Sequence, residues 1–148
     1  MCVIVDNDVV ALVLVKKDAA FVPVMQAIQK RRHKLTYGGR LKDEYLKSVL
    51  VRTVLRVLDE AGLSRIASDD SIASIESQLI ANDVCKSNDA HVIALAQVSK
   101  TRLLCSRDND LIADFTNLKL LSKPRGRVYK NADHRALVNQ CCARCRPT

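Results

Sequence analysis

Short aliphatic runs alternate with longer stretches of helical period along this chain, and few folds accommodate that alternation. Residues 2–5, Cys-Val-Ile-Val, form a β-branched run that stops at an acid, Asp6. A second run at 34–37 is closed by Gly38-Gly39, and a third at 103–106 is followed by Asp108. Runs this short are predicted to be strands, and the continuously apolar first and third suit strands buried on both faces, as in a parallel sheet. Residues 63–66 are expected as a connection or a short strand, and 118–121 as a further strand. Between these runs, apolar positions recur at spacings of three and four over 9–15 and 22–31. They do so again over 41–61, where Leu41, Tyr45, Val49, Val54, Leu55 and Leu58 share one helical face before Gly62. Residues 72–79, 91–98 and 108–115 read as further helices, the middle one preceded by polar Ser87-Asn88-Asp89. The alternation predicts an α/β chain of three layers, α/β/α, around a mostly parallel sheet with right-handed crossovers.

A chain of 148 residues is long enough to bury a core, and one domain over 1–148 is expected, with a basic extension from about residue 123. Only four glycines and three prolines interrupt a largely aliphatic composition, which predicts a globular chain rather than a disordered or collagen-like one. The 24 Lys and Arg against 16 Asp and Glu leave a formal charge of +8, a balance that favours a polyanionic partner. Asp6 and Asp8 break the first apolar run before a signal peptide forms, and no apolar stretch approaches the roughly 20 residues of a membrane span. A cytoplasmic location and no membrane partner are the corresponding expectations. Cys85 and Cys105 read as small buried hydrophobes. Cys141, Cys142 and Cys145, with His134 upstream, lack the paired Cys-x-x-Cys spacing of a zinc knuckle and read as one end of an amphipathic helix.

In an open parallel sheet, functional groups gather outside the carboxyl ends of the strands. Asp6 and Asp108 stand where two strands should end, Asp89 opens a helix, and Glu44 lies in the first turns of another. Four converging carboxylates repel one another unless a divalent cation lies between them, and an all-oxygen donor set suits magnesium or manganese. Such an ion orients a water as nucleophile and stabilises the charge that develops on a phosphodiester. Each acid also has an ordinary structural use. Asp89 complements a helix N-terminus, Glu44 pairs with Lys42 or Lys47 on a solvated face, and Asp108 with Asp110 forms a turn and cap. Asp6 is the exception, because an acid closing a buried strand is structurally awkward. The functional reading rests on the four together.

Four segments then carry a family likeness: VIVDND at the start, GGRLKDEYLK on the middle helix, SNDAHVIALA, and LLCSRDNDLIADF. In order and spacing, over nearly the whole chain, they resemble the PIN-domain proteins, the fold of many small bacterial and archaeal ribonucleases including the VapC-type toxins. The last two segments are the most specific, an Asp heading a small-and-aliphatic helix and then a strand ending in Ser-x-Asp. The resemblance implies an acidic quartet of Asp6, Glu44, Asp89 and Asp108 that hydrolyses RNA, with Asp6, Asp89, Asp108 and Asp110 around magnesium or manganese. It also implies RNA as substrate and, by way of the toxins, an antitoxin protein and a second copy of the chain as partners. One motif departs from the family. Its first motif commonly reads Asp-Thr/Ser-Asn, whereas this chain reads Asp6-Asn7-Asp8, without the small hydroxyl neighbour.

The cations expected to touch RNA are Arg40, Arg107, Arg125, Arg127 and Lys130, the last beside Tyr129; the run Lys30-Arg31-Arg32-His33-Lys34 reads equally as solvated surface. Two other readings compete. Residues 3–10 also fit the strand followed by Asp-x-Asp-x-Val of haloacid-dehalogenase-like phosphatases, with Asp6 the phosphorylated nucleophile and Asp8 the general acid. That reading leaves SNDAHVIALA without a role. A non-catalytic module of the same fold, binding RNA or a partner protein, is the third, and the retention of mutually repelling acids argues against it.

Overall fold

A computed structural model describes residues 2–139. Five parallel strands, β1 (Cys2–Val5), β2 (Lys34–Tyr37), β3 (Ser64–Ile66), β4 (Leu103–Cys105) and β5 (Arg127–Tyr129), form one sheet in the order β3-β2-β1-β4-β5. The register sets Val3 beside Leu35, Ile4 beside Leu104, and Leu104 beside Val128. β1 and β4 are buried at every position, which is why their sequences are apolar without alternation. Helices α1 (Val22–Gln29), α2 (Gly39–Leu46) and α3 (Val49–Glu60) lie between the first three strands. Helices α4 (Asp69–Ala81), α5 (Ala90–Ser99) and α6 (Asn109–Phe115) follow β3.

The chain steps outward from β1 to β3, then returns past β1 to β4 and β5. With right-handed crossovers, that reversal of direction sends the two groups of helices to opposite faces of the sheet, giving the α/β/α layers. The reversal falls between β1 and β4, the place outside whose carboxyl ends functional groups gather in open parallel sheets. Helix α5 is the central cover. Its residues from Ala90 to Ala96 are all buried, against the sheet on one side and α4 and α2 on others. A helix apolar all round needs cover all round, and each large side chain buried this way contributes about 2 kcal/mol. Among the described residues, no helix is long and apolar enough to cross a membrane.

Three sequence expectations change. The helical run at 41–61 is two helices, because Ser48 leaves helical geometry and its hydroxyl accepts from the Val51 amide as the N-cap of α3. The apolar spacing continues across the break and conceals it. Residues 118–121 are not a strand: they lie in the turns after α6, where Leu121 is buried and Leu118 is exposed. The outer strand is instead Arg127–Tyr129, within the stretch expected to be an extension, and the 3-10 helix Ala132–Asn139 that follows packs on α1 and β5. An edge strand of three residues pairs on one side only and needs no apolar run to announce it. Cys141, Cys142 and Cys145 lie outside the described residues.

Candidate active site

Asp6 follows β1, and its amide donates to the Cys105 carbonyl at 2.9 Å, so the ends of β1 and β4 are stitched together. Its carboxylate is buried and engaged through both oxygens: Oδ1 accepts from the Asn7 amide at 2.8 Å and Oδ2 from the Ser106 hydroxyl at 2.9 Å. Ser106 Oγ in turn accepts from the Asp108 amide at 3.1 Å, forming a short relay from the β4 end to the β1 end. Burial, followed by a hydrogen bond and charge repulsion from Asp8 and by the charge of Asp89, raises the Asp6 carboxyl from the usual 3.8 to about 8, against the pull of Ser106. Ser106 thus takes the place of the small hydroxyl that the first motif lacks.

The other acids of the quartet reach this edge from separate elements. Asp89 occupies the N-cap position of α5, yet its side chain caps nothing. Helix capping therefore does not account for it, and its carboxyl is raised by burial and by the charges of Asp108 and Asp8. Asp108 does cap α6: its Oδ1 accepts from the amides of Asp110 and Leu111 at 2.9 and 3.2 Å. That use occupies one oxygen only. Glu44 is raised by burial first and then by Asp89. It stands against the buried His91, with Oε1 2.8 Å from Nε2. Lys42 sits instead 3.9 Å from Asp69, while the charge of Lys47 draws Glu44 toward its ionised form. Asp110 is exposed on the first turn of α6.

Local sequence explains how Glu44 comes to be there. Gly39 takes a left-handed φ of 57°, where a Cβ would press on Ile72 at 3.0 Å, and its amide donates to Asp69. That turn starts α2 next to α4. One residue beyond Glu44, the buried Tyr45 donates its hydroxyl to the Val5 carbonyl, which ties α2 to the strand end that carries Asp6. Arg40, on the first turn of α2, pairs with Glu76 at 2.7 Å and draws Glu44 and Asp89 back toward the ionised form.

Three contributors carried no role in the acidic constellation read from sequence. Asp8, beside Asp6, repels both Asp6 and Asp89, and Oδ2 accepts from the Arg107 amide at 3.4 Å. His91 is held neutral, pushed down to about 4 by burial and by Arg40. Asp114, buried at the end of α6, accepts from the amides of Lys86 and Ser87 and from the Ser87 hydroxyl. That anchors the loop that delivers Asp89, whose own amide donates to Ser87. Asp8 was visible as part of Asp-x-Asp; His91 and Asp114 sit at positions where helical period alone says only "inward".

The cations divide. Arg40 and Arg107 flank the acids, Arg107 lying 5.0 Å over the Phe21 ring, and Lys130 follows the carboxyl end of β5. Arg125 and Arg127 instead precede and open β5, at the opposite edge of the sheet from the acids. Among the described residues, no three His, Cys, Asp or Glu side chains close into a ready-made metal shell. The acids act on one another through charge. No protein-family model matches the chain, and no curated protein does either.

Proposed function

We propose that the chain is a metal-dependent ribonuclease of the PIN-domain type, acting at the crevice between the ends of β1 and β4. The observation that carries the reading is the meeting of Asp6, Glu44, Asp89 and Asp108 from four elements, with Asp6 raised to about 8 by burial and by neighbouring acids. A fold does not keep such repulsion for stability, because apolar residues would fill the same space without it. The donors are hard oxygens with spare lone pairs, and the arrangement is open, which suits magnesium: it keeps several waters and takes one or two carboxylates plus substrate phosphates. Asp6, Asp89 and Asp108 would hold magnesium or manganese, with Asp110 at the margin. When bound, the ion would supply charge neutralisation at the phosphodiester and a polarised, oriented water as the nucleophile.

The protein's own groups do the rest. Ser106 orients the Asp6 carboxylate through Oδ2, and Asp114 sets the loop that orients Asp89. His91 stands against Glu44 as an uncharged neighbour, so Glu44 keeps its negative charge available to the crevice. Arg40 and Arg107 are placed to take the non-bridging oxygens of the scissile phosphate by charge-assisted hydrogen bonds. The phosphatase reading finds less support. It gives no role to Glu44 and Asp89, although the charge of Asp89 acts on both Glu44 and Asp6 at the same edge.

The test is incubation of the purified chain with RNA, single-stranded DNA and a phosphate monoester, each with magnesium, manganese or chelator. RNA should be cut only with metal, leaving 5′-phosphate and 3′-hydroxyl ends. Cleavage in chelator, or 2′,3′-cyclic phosphate products, would overturn the proposal, and turnover of the monoester alone would favour the phosphatase.

A further inference from the structure

Helix α3 turns an apolar stripe to solvent. Its inner side buries Val51, Leu55 and Leu58, while Val49, Leu50 and Val57 on the other side are 63, 63 and 60% exposed. Helical spacing puts Thr53 between them on the outward face. The Thr53 hydroxyl donates to the Val49 carbonyl at 2.9 Å, so its one polar group is spent on the helix itself. Beside the stripe, on the flank of α3 that carries Arg52 and Arg56, lies a cleft of about 310 Å³. Its apolar walls are Leu55, Leu46 from the end of α2 and Ile66 from the end of β3.

Single exposed aliphatic residues are ordinary, and Leu118 is one. Leu46, Val49, Leu50 and Val57 are not scattered, however: they adjoin one another where a surface helix normally shows polar residues. Charge narrows what can cover them. The chain carries +8, yet α3 carries Arg52 and Arg56 against Asp59 and Glu60 and is neutral. A phosphate backbone or an anionic lipid surface selects an excess of cations, which this helix lacks. Asp59 is held by the hydroxyls of Tyr37 and Ser64, and Lys42 stands 3.9 Å from Asp69. Lys47, whose charge also reaches Glu44, precedes α3, and Glu60 closes it. Both are exposed, and neither is ion-paired among the described residues. The outward face is therefore apolar along its length, with a cation at one end and an acid at the other.

We propose that this face binds a second copy of the chain, the two α3 helices packing antiparallel about a two-fold axis near Thr53. A two-fold interface must complement itself. This face holds both halves of such a fit: a ridge of Val49, Leu50 and Val57, and beside it an apolar cleft to receive the ridge of the other copy. Antiparallel packing about Thr53 sets Val57 of each copy against Val49 and Leu50 of the other, and brings each Glu60 toward the other Lys47. Parallel packing would set like charge beside like charge. The pairing stands without the nuclease reading, but it touches the same helix: Leu46 and Lys47 follow Glu44 on α2, so the interface braces the element that brings Glu44 to the acids.

The test is sedimentation of the full chain from about 1 to 100 μM, where the mass should pass from one chain to two with a Kd in the micromolar range. Val57→Arg, at a position the core does not use, should weaken pairing at least about thirtyfold, because it places a charge at the centre of the apolar contact. Lys47→Glu and Glu60→Lys should each weaken it about three- to tenfold, and the two together should restore it. That restoration is specific to the antiparallel arrangement. If Val57→Arg does not fold, the two charge reversals decide, since both side chains are exposed. A single-chain mass up to about 100 μM would overturn the proposal, whether the stripe is then covered by residues 140–148 or by a different protein. So would a dimer that Val57→Arg leaves intact, or charge reversals whose losses add instead of cancelling.

Discussion

At the edge where the strands end, Asp6, Glu44 and Asp89 are all held toward the neutral form by burial and by one another's charge. At the edge where they begin, Arg65 and Arg102 meet the carbonyl end of α5. Both edges are dictated by one parallel topology, but at different cost. Cations at helix C-termini are stabilising by about 0.3–1 kcal/mol each, whereas carboxylates that share a crevice oppose folding unless something binds them. Charge that helps the fold needs no function to explain it; charge that strains the fold does. This is why the functional proposal rests on the acid edge.

The largest expected effect separates the two edges outright. Asp6→Asn and Asp89→Asn should each lower RNA cleavage on the order of a thousandfold or more, since Asn keeps the shape but removes the charge that holds metal. RNA binding in chelator should stay within about threefold of wild type, because cations rather than carboxylates carry contacts to phosphate. A parallel loss of binding and cleavage would break the comparison, and would mean that the acid edge itself organises the RNA.

The acid edge was largely legible in the sequence. Asp6 and Asp108 follow strand ends that the aliphatic runs mark, and Asp89 precedes a helix that is apolar all round. What sequence did not carry is which acids are otherwise occupied. Whether Asp89 caps its helix, and whether Asp108 does, depends on rotamers, and the two answers differ. Glu44 required the tether from Tyr45 to Val5, a contact between residues 40 positions apart. Arg125 and Arg127, expected to touch RNA, lie at the edge opposite the acids, because the outer strand is Arg127–Tyr129 rather than 118–121. An edge strand so short, with one exposed arginine and one half-buried valine, has no pattern to betray it.

A smaller effect concerns pH, and its sign follows from two opposed groups. Asp6 is raised from 3.8 to about 8, so between those values the folded chain holds a proton that the unfolded chain has lost, and stability falls as pH rises. His91 is lowered from 6.5 to about 4, so over that lower range the unfolded chain holds the extra proton, and stability rises with pH. Glu44 and Asp89 are raised and act with Asp6. Between about pH 6.5 and 8 the histidine has stopped contributing, and the raised carboxyls, Asp6 foremost, set the sign. The melting temperature of the metal-free protein should therefore fall across that window. Magnesium or manganese should flatten the fall by holding Asp6 ionised, and Asp6→Asn should abolish it. A metal-free melting temperature that rises from pH 6.5 to 8 would contradict the buried, repelled Asp6.

The smallest effect marks where the acid edge stops. Asp110 lies on the first turn of α6, exposed, with its amide on Asp108 Oδ1. Its side chain has two uses open to it: complementing the positive end of α6, and standing at the margin of a bound metal. The first is worth about 0.3–1 kcal/mol for an exposed acid. Asp110→Asn should therefore cost a few tenths of a kcal/mol in denaturant unfolding, because the Asp108 cap that closes the helix is left intact. If Asp110 stands only at the margin, cleavage should drop less than about tenfold, with the metal concentration for half-maximal activity shifted upward and the maximal rate preserved. A loss as deep as that of Asp6→Asn would make Asp110 a full member of the crevice. An unchanged metal requirement would leave it with the helix alone, and the functional edge would end at Asp108.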